Sequence, residues 1–66
     1  MTVTVNGRPV DLGPDATVLT LIELLGLHAR STLVERNGDP VDRDAYGDVA
    51  VADGDRIVVA RAVAGG

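Results

Sequence analysis

The sequence predicts an α+β fold, a mixed sheet with one helix packed across one face. Three observations carry that prediction. The dipeptide Asn-Gly occurs twice, at Asn6-Gly7 and Asn37-Gly38, each time between short runs of strand-forming residues. The stretch "TVLTLIELLGL" (17–27) spaces its apolar residues with helical period. The segment from Ile57 to Val63 is almost wholly apolar.

Taken in chain order, Val3 and Val5 alternate with Thr2 and Thr4, and Val10 and Leu12 resume the alternation after Asn6-Gly7. This predicts a β-hairpin, because a type I′ turn needs positive φ at both central residues. Pro9 cannot donate to a ladder and belongs at an edge or a strand start. "GPDA" (13–16) then breaks the chain. In the helical stretch Val18, Leu21, Ile22 and Leu25 fall on one face. Thr17 is the expected N-cap, since its hydroxyl can take an orphan N–H. Gly26 is the expected C′ residue, with Leu27 packing back as in a Schellman motif. A helix of about two to three turns is unstable alone in water, so its apolar face must lie on the sheet.

"STLVERNGDPV" (31–41) reads as strand, turn and short strand, with Pro40 confining the last to an edge. "DRDAYGDV" (42–49) is polar and turn-rich, with Tyr46 its one large residue. Asp53-Gly54 is a turn, and Ile57 through Val63 is the longest strand candidate. A strand apolar on both faces is central in its sheet or covered twice. That puts it in the middle, beside the first strand, which is the β-grasp or ubiquitin-like architecture.

The 66 residues make one domain, 1–66, near the lower size limit for folding alone. With no cysteine and one histidine, disulfides, thiolate zinc, a cysteine nucleophile and a His-rich metal site are excluded. The formal net charge is −4, and every basic residue is arginine. That balance argues against nucleic acid. It suits a partner with a basic surface, although composition alone favours a merely solubilising role. Without a signal peptide, long apolar run or lipidation motif, the expectation is a soluble cytoplasmic protein, with no membrane contact and monomeric when free.

No residue set stands out as catalytic. His28 lacks a Ser or Cys partner at a recognisable spacing and follows a helix end, where an exposed structural role is expected. Asp42, Asp44, Tyr46, Gly47 and Asp53 echo a calcium loop, but Tyr holds the fifth position and no helix flanks the run. Solvated acidic turns account for them better, so no metal site is expected. No phosphate-cradling glycine motif occurs, and no spacing selects a carboxylate pair.

What remains is the end of the chain, "RAVAGG" (61–66), with residues 62–66 expected to form a flexible tail. If Ile57 and Val59 point inward, Val58, Ala60, Ala62 and Val63 are left outward, and with Ala64 they make an apolar approach to the tip that suits a partner. Lacking Cβ, Gly65 and Gly66 can thread a narrow passage and bring a carboxylate into another protein's active site. On the dipeptide alone a frayed end explains them equally well.

Taken together, "VNGRPV", "TVLTLIELLGL", "LVERNGDPV", "VADGDRIVV" and the closing "VAGG" resemble the small sulfur carriers of the ubiquitin-like superfamily, most closely the ThiS type of thiamin biosynthesis. The resemblance spans the chain, with Tyr46 where relatives often carry Trp or another aromatic. It implies that an E1-like enzyme uses ATP to adenylate the Gly66 carboxylate, that a sulfur donor converts it to a thiocarboxylate, and that a thiazole synthase or another sulfur-accepting synthase takes the sulfur. The carrier would bind no cofactor and catalyse nothing. A carrier for molybdopterin, cysteine or natural-product synthesis, a protein modifier and a plain interaction domain remain the alternatives.

Overall fold

The computed structural model describes residues 1–62. Five strands form one sheet in the order β2-β1-β5-β3-β4, with β1 Thr2–Val5, β2 Arg8–Asp11, β3 Thr32–Arg36, β4 Asp39–Pro40 and β5 Arg56–Arg61. Strands β1 and β5 pair in parallel, and every other pair is antiparallel. The helix α1, Val18–Leu24, supplies Leu21, Ile22 and Val18 to a core completed by Val3, Val5, Val34, Val51 and Ile57. The β-grasp expectation therefore holds, with the last strand central and beside the first.

Local chemistry explains each element. Both Asn-Gly turns close two-residue hairpin loops in the left-handed region, with φ of 52° and 84° at Asn6 and Gly7 and 53° and 89° at Asn37 and Gly38. Pro9 and Pro40 sit on the two edge strands, where no partner needs their missing N–H. Thr17 caps α1 reciprocally with Thr20: each backbone N–H donates to the other's hydroxyl at 3.2 Å. At the other end, Leu27 N–H donates to Ile22 C=O and Gly26 N–H to Glu23 C=O, both at 3.0 Å. Gly26 has a φ of 73°. This is the Schellman motif expected from the sequence.

Four details differ from the sequence expectation. The helix stops at Leu24, so Leu25 is its C-cap and stays 37% exposed instead of joining the buried face. The last strand starts one residue earlier and its described part ends at Arg61; Val63 lies outside the described residues. Although central, β5 is covered on one side only: Ile57 is fully buried while Val58 is 42% exposed. A single short helix covers one face, and the other stays open. Tyr46, expected in a polar turn, is buried and donates its hydroxyl to the Thr32 carbonyl at 2.7 Å. Its ring fills the core under the loop, and its hydroxyl satisfies a buried acceptor. Among the described residues no helix is long and apolar enough to cross a membrane.

Candidate functional site

Strand β5 leads to the tail, and its neighbours hold it in place with side chains as well as ladders. Where β1 ends, Asn6 continues the ladder: its Nδ2 donates to Val59 C=O at 3.0 Å, and Val59 N–H donates to its Oδ1 at 2.9 Å. At the foot of β3, Asn37 holds Arg56 with its side-chain oxygen and its backbone N–H. Arg56 N–H donates to Asn37 Oδ1 at 2.9 Å, and Asn37 N–H donates to Arg56 C=O at 2.8 Å. Each asparagine thus makes its turn and also pins β5, one from either side. The last described hydrogen bond is Ala62 N–H to Ser31 C=O, at 2.8 Å.

Asp55 anchors the start of β5. Its buried carboxylate accepts from Ala52 N–H at 2.7 Å, Arg36 Nε at 2.7 Å and Asn37 Nδ2 at 3.0 Å. Burial works to raise its pKa. The hydrogen bonds from Ala52, Asn37 and Arg36, with the Arg36 charge, outweigh that and hold the carboxyl below its ordinary value. Asp53 ties the same turn to the first strand by accepting Thr2 N–H at 2.8 Å.

Of the residues expected to approach the tip, Val58, Ala60 and Ala62 are among those described. Val58 and Ala60 are exposed on the open face of the sheet, and Ala62 is half-buried just beyond the strand. The antiparallel register sets Leu33 opposite Ala60 and Glu35 opposite Val58. Leu33, 52% exposed, is the largest apolar group on this face, and sequence reading missed it. Its signal is the register: only after Asn37-Gly38 fixes β3 against β5 does Leu33 fall on the same side as Val58 and Ala60. Val63, Ala64, Gly65 and Gly66, also expected at the site, lie outside the described residues. On the helix side, a groove of about 300 Å³ lined by Leu27, His28, Ser31, Val59 and Arg61 adjoins the base of the tail.

The residues that echoed a calcium loop do not converge. Tyr46 turns into the core, Asp53 serves Thr2, and Asp42 and Asp44 face solvent. Among the described residues no group of three or more His, Cys, Asp or Glu could hold a metal ion. His28 is exposed, and its carbonyl accepts from the Thr32 hydroxyl at 2.7 Å.

Comparison with known proteins follows the same lines. The crystal structure of the thiamine biosynthesis protein ThiS from Geobacter metallireducens superposes with a TM-score of 0.85, at 32% identity and with both chains fully covered. A ubiquitin-like protein from Caldiarchaeum subterraneum shares the fold, with a TM-score of 0.52 at 23% identity over 98% of this chain and all of the other. A thiazole synthase from Paramagnetospirillum magneticum is 35% identical over all 66 residues, which span 20% of its length. The model of the ThiS family matches residues 3–66, through the final glycine. The chain belongs to the ThiS family.

Proposed function

We propose that the chain is a sulfur carrier for thiazole formation, with the Gly66 carboxylate as its reacting group. An E1-like partner joins that carboxylate to AMP at the expense of ATP, and pyrophosphate leaves. A sulfur nucleophile displaces AMP, leaving a thiocarboxylate, and a thiazole synthase takes the sulfur. Adenylation turns a poor electrophile into a good one, so the ATP site and the acid–base groups belong to the partner. The observation that carries the reading is a central strand, pinned from both sides by Asn6 and Asn37 and ending at Arg61, in a chain whose sequence closes on Gly65-Gly66 and is matched by the ThiS family through Gly66. The thiamine biosynthesis protein and the thiazole synthase among its relatives favour thiazole as the destination.

The partner-facing surface in this reading is Leu33, Val58, Ala60 and Ala62, with Val63 and Ala64, which follow in the sequence, as further proposed contacts. Val58→Asp places a charge in that contact, where desolvation is costly. It is expected to weaken binding to the adenylating enzyme by about tenfold or more. Folding stability should shift by under about 1 kcal/mol, because the side chain is already 42% exposed. Calorimetric titration and urea unfolding check the two halves. Unfolding without selective loss of binding would contradict the assignment of this face. Pyrophosphate release from ATP that depends on this chain tests the adenylation step itself, and its absence would overturn the reading.

A further inference from the structure

The net charge hides a polarity along the molecule. The end from which the tail leaves carries Arg61, the last residue of β5, and Arg30, whose neighbour Ser31 accepts the Ala62 N–H. On the other side of β5, Arg8 closes the β1–β2 hairpin whose Asn6 is bonded to Val59. All three arginines are exposed, and the one salt bridge among the described residues is that of Arg36 with Asp55, at the opposite end of β5. Glu23, in the last turn of α1, is the single acidic residue near them.

The carboxylates lie elsewhere. Asp11, Asp53 and Asp55 sit at the foot of β1 and β5, and Asp39 lies across from Arg36 at the foot of β3. Asp15 precedes α1, Glu35 faces out from the middle of the sheet, and Asp42, Asp44 and Asp48 belong to the loop around Tyr46, whose carbonyl accepts from Leu19 N–H. Three arginines against one acidic side chain at the tail end thus oppose three arginines against nine acidic side chains over the remainder.

We propose that Arg8, Arg30 and Arg61 form a cationic collar that seats on a carboxylate-lined surface of a partner, around the opening that admits the tail. The proposal rests on the tail being the working end. Charges of this kind act mainly on encounter: they orient an otherwise acidic molecule tail first and speed association. The acidic remainder is repelled by the same surface, so the wrong end is rejected.

The test is a nuclear magnetic resonance titration of the full chain with poly-glutamate, and separately with poly-lysine, at low salt. Poly-glutamate should perturb amides around Arg8, Arg30 and Arg61, and poly-lysine should perturb the foot of the sheet and the Tyr46 loop. The poly-glutamate response should fade as salt screens it. Replacing the three arginines by glutamine should weaken it at least about tenfold, whereas Arg43→Gln, on the far loop, should leave it intact. No response, or one centred on Arg43 or Arg56, would overturn the collar. With a purified E1-like adenylating enzyme, the triple variant should also associate at least about tenfold more slowly at low salt. A wild-type chain that is adenylated while the triple variant associates as fast overturns the collar and leaves the carrier reading standing. A chain that responds to poly-glutamate but is never adenylated does the reverse.

Discussion

Adding one residue after Gly66 is expected to abolish loading by the adenylating enzyme while leaving the fold unchanged. The addition converts the Gly66 carboxylate into a peptide carbonyl, which cannot attack ATP. The new terminal carboxylate is displaced by up to about 3.5 Å along an extended chain. Misplacement of a reacting group by even about 1 Å can cost a hundredfold, so the loss should be at least that large in initial rate of pyrophosphate release. Gly66→Ala keeps the carboxylate in place and separates reach from shape. If the partner's passage demands a left-handed backbone, the substitution costs roughly 1–2 kcal/mol, about a five- to thirtyfold loss; a passage too narrow for a methyl makes it larger. Circular dichroism and urea unfolding of both variants should match the parent, because the last described hydrogen bond, Ala62 to Ser31, precedes the change. Normal loading of the extended chain would remove Gly66 from the chemistry.

The second large effect is on stability. Asp55→Ala removes the acceptor shared by Ala52 N–H, Arg36 and Asn37 and leaves those groups without it. Breaking a buried, hydrogen-bonded ion pair costs about 3–5 kcal/mol. Arg36 keeps 35% of its side chain exposed, which brings the expectation to about 2–4 kcal/mol. A domain this small is held by only about 3–10 kcal/mol, so the variant should be largely unfolded at the parent's midpoint temperature, with a clearly lower urea midpoint. Asp55→Asn keeps the volume and gives the milder test. The pH dependence has a definite sign. The folded-state pKa lies below the ordinary value of 3.8, so the Asp55 contribution is fully present above about that pH and is lost as acidification passes through the folded pKa. Urea midpoints measured across that acidic range should fall more steeply for the parent than for Asp55→Asn.

Much of the fold was legible because its signals are local. A left-handed Asn-Gly, a threonine cap and a glycine at C′ act through residues a few positions away, and each reappears with the expected geometry. Strand order was legible for a different reason: the most apolar strand gains most from the centre. What escaped reading depends on partners distant in sequence. Asn6 and Asn37 look complete as turn formers, yet their side chains reach Val59 and Arg56, 53 and 19 residues away. Asp55, inside the family-like string "ADGDRI", reads as one more acidic turn residue until β3 brings Arg36 and Asn37 to it. Leu33 joins Val58 and Ala60 only through the register of β3 on β5. Leu25 shows the limit of periodicity: it fits the helical face by spacing, but the Schellman motif ends the helix before it can be buried.

These details bear on function through one strand. The pins at Asn6, Asn37 and Asp55 fix where β5 starts and hold it, and the Ala62–Ser31 hydrogen bond is the last described one. In the proposed carrier role, a body that is already ordered up to Ala62 lowers the entropy cost of each docking.

The central claim, that Gly66 carries sulfur, is tested most directly by intact mass. The chain is incubated with an E1-like adenylating enzyme, ATP and a sulfur donor, and then weighed whole. A gain equal to the difference between one sulfur and one oxygen atom is expected, located by fragmentation at Gly66 and absent without ATP. An unchanged mass, while the same enzyme loads the Geobacter relative, would contradict it.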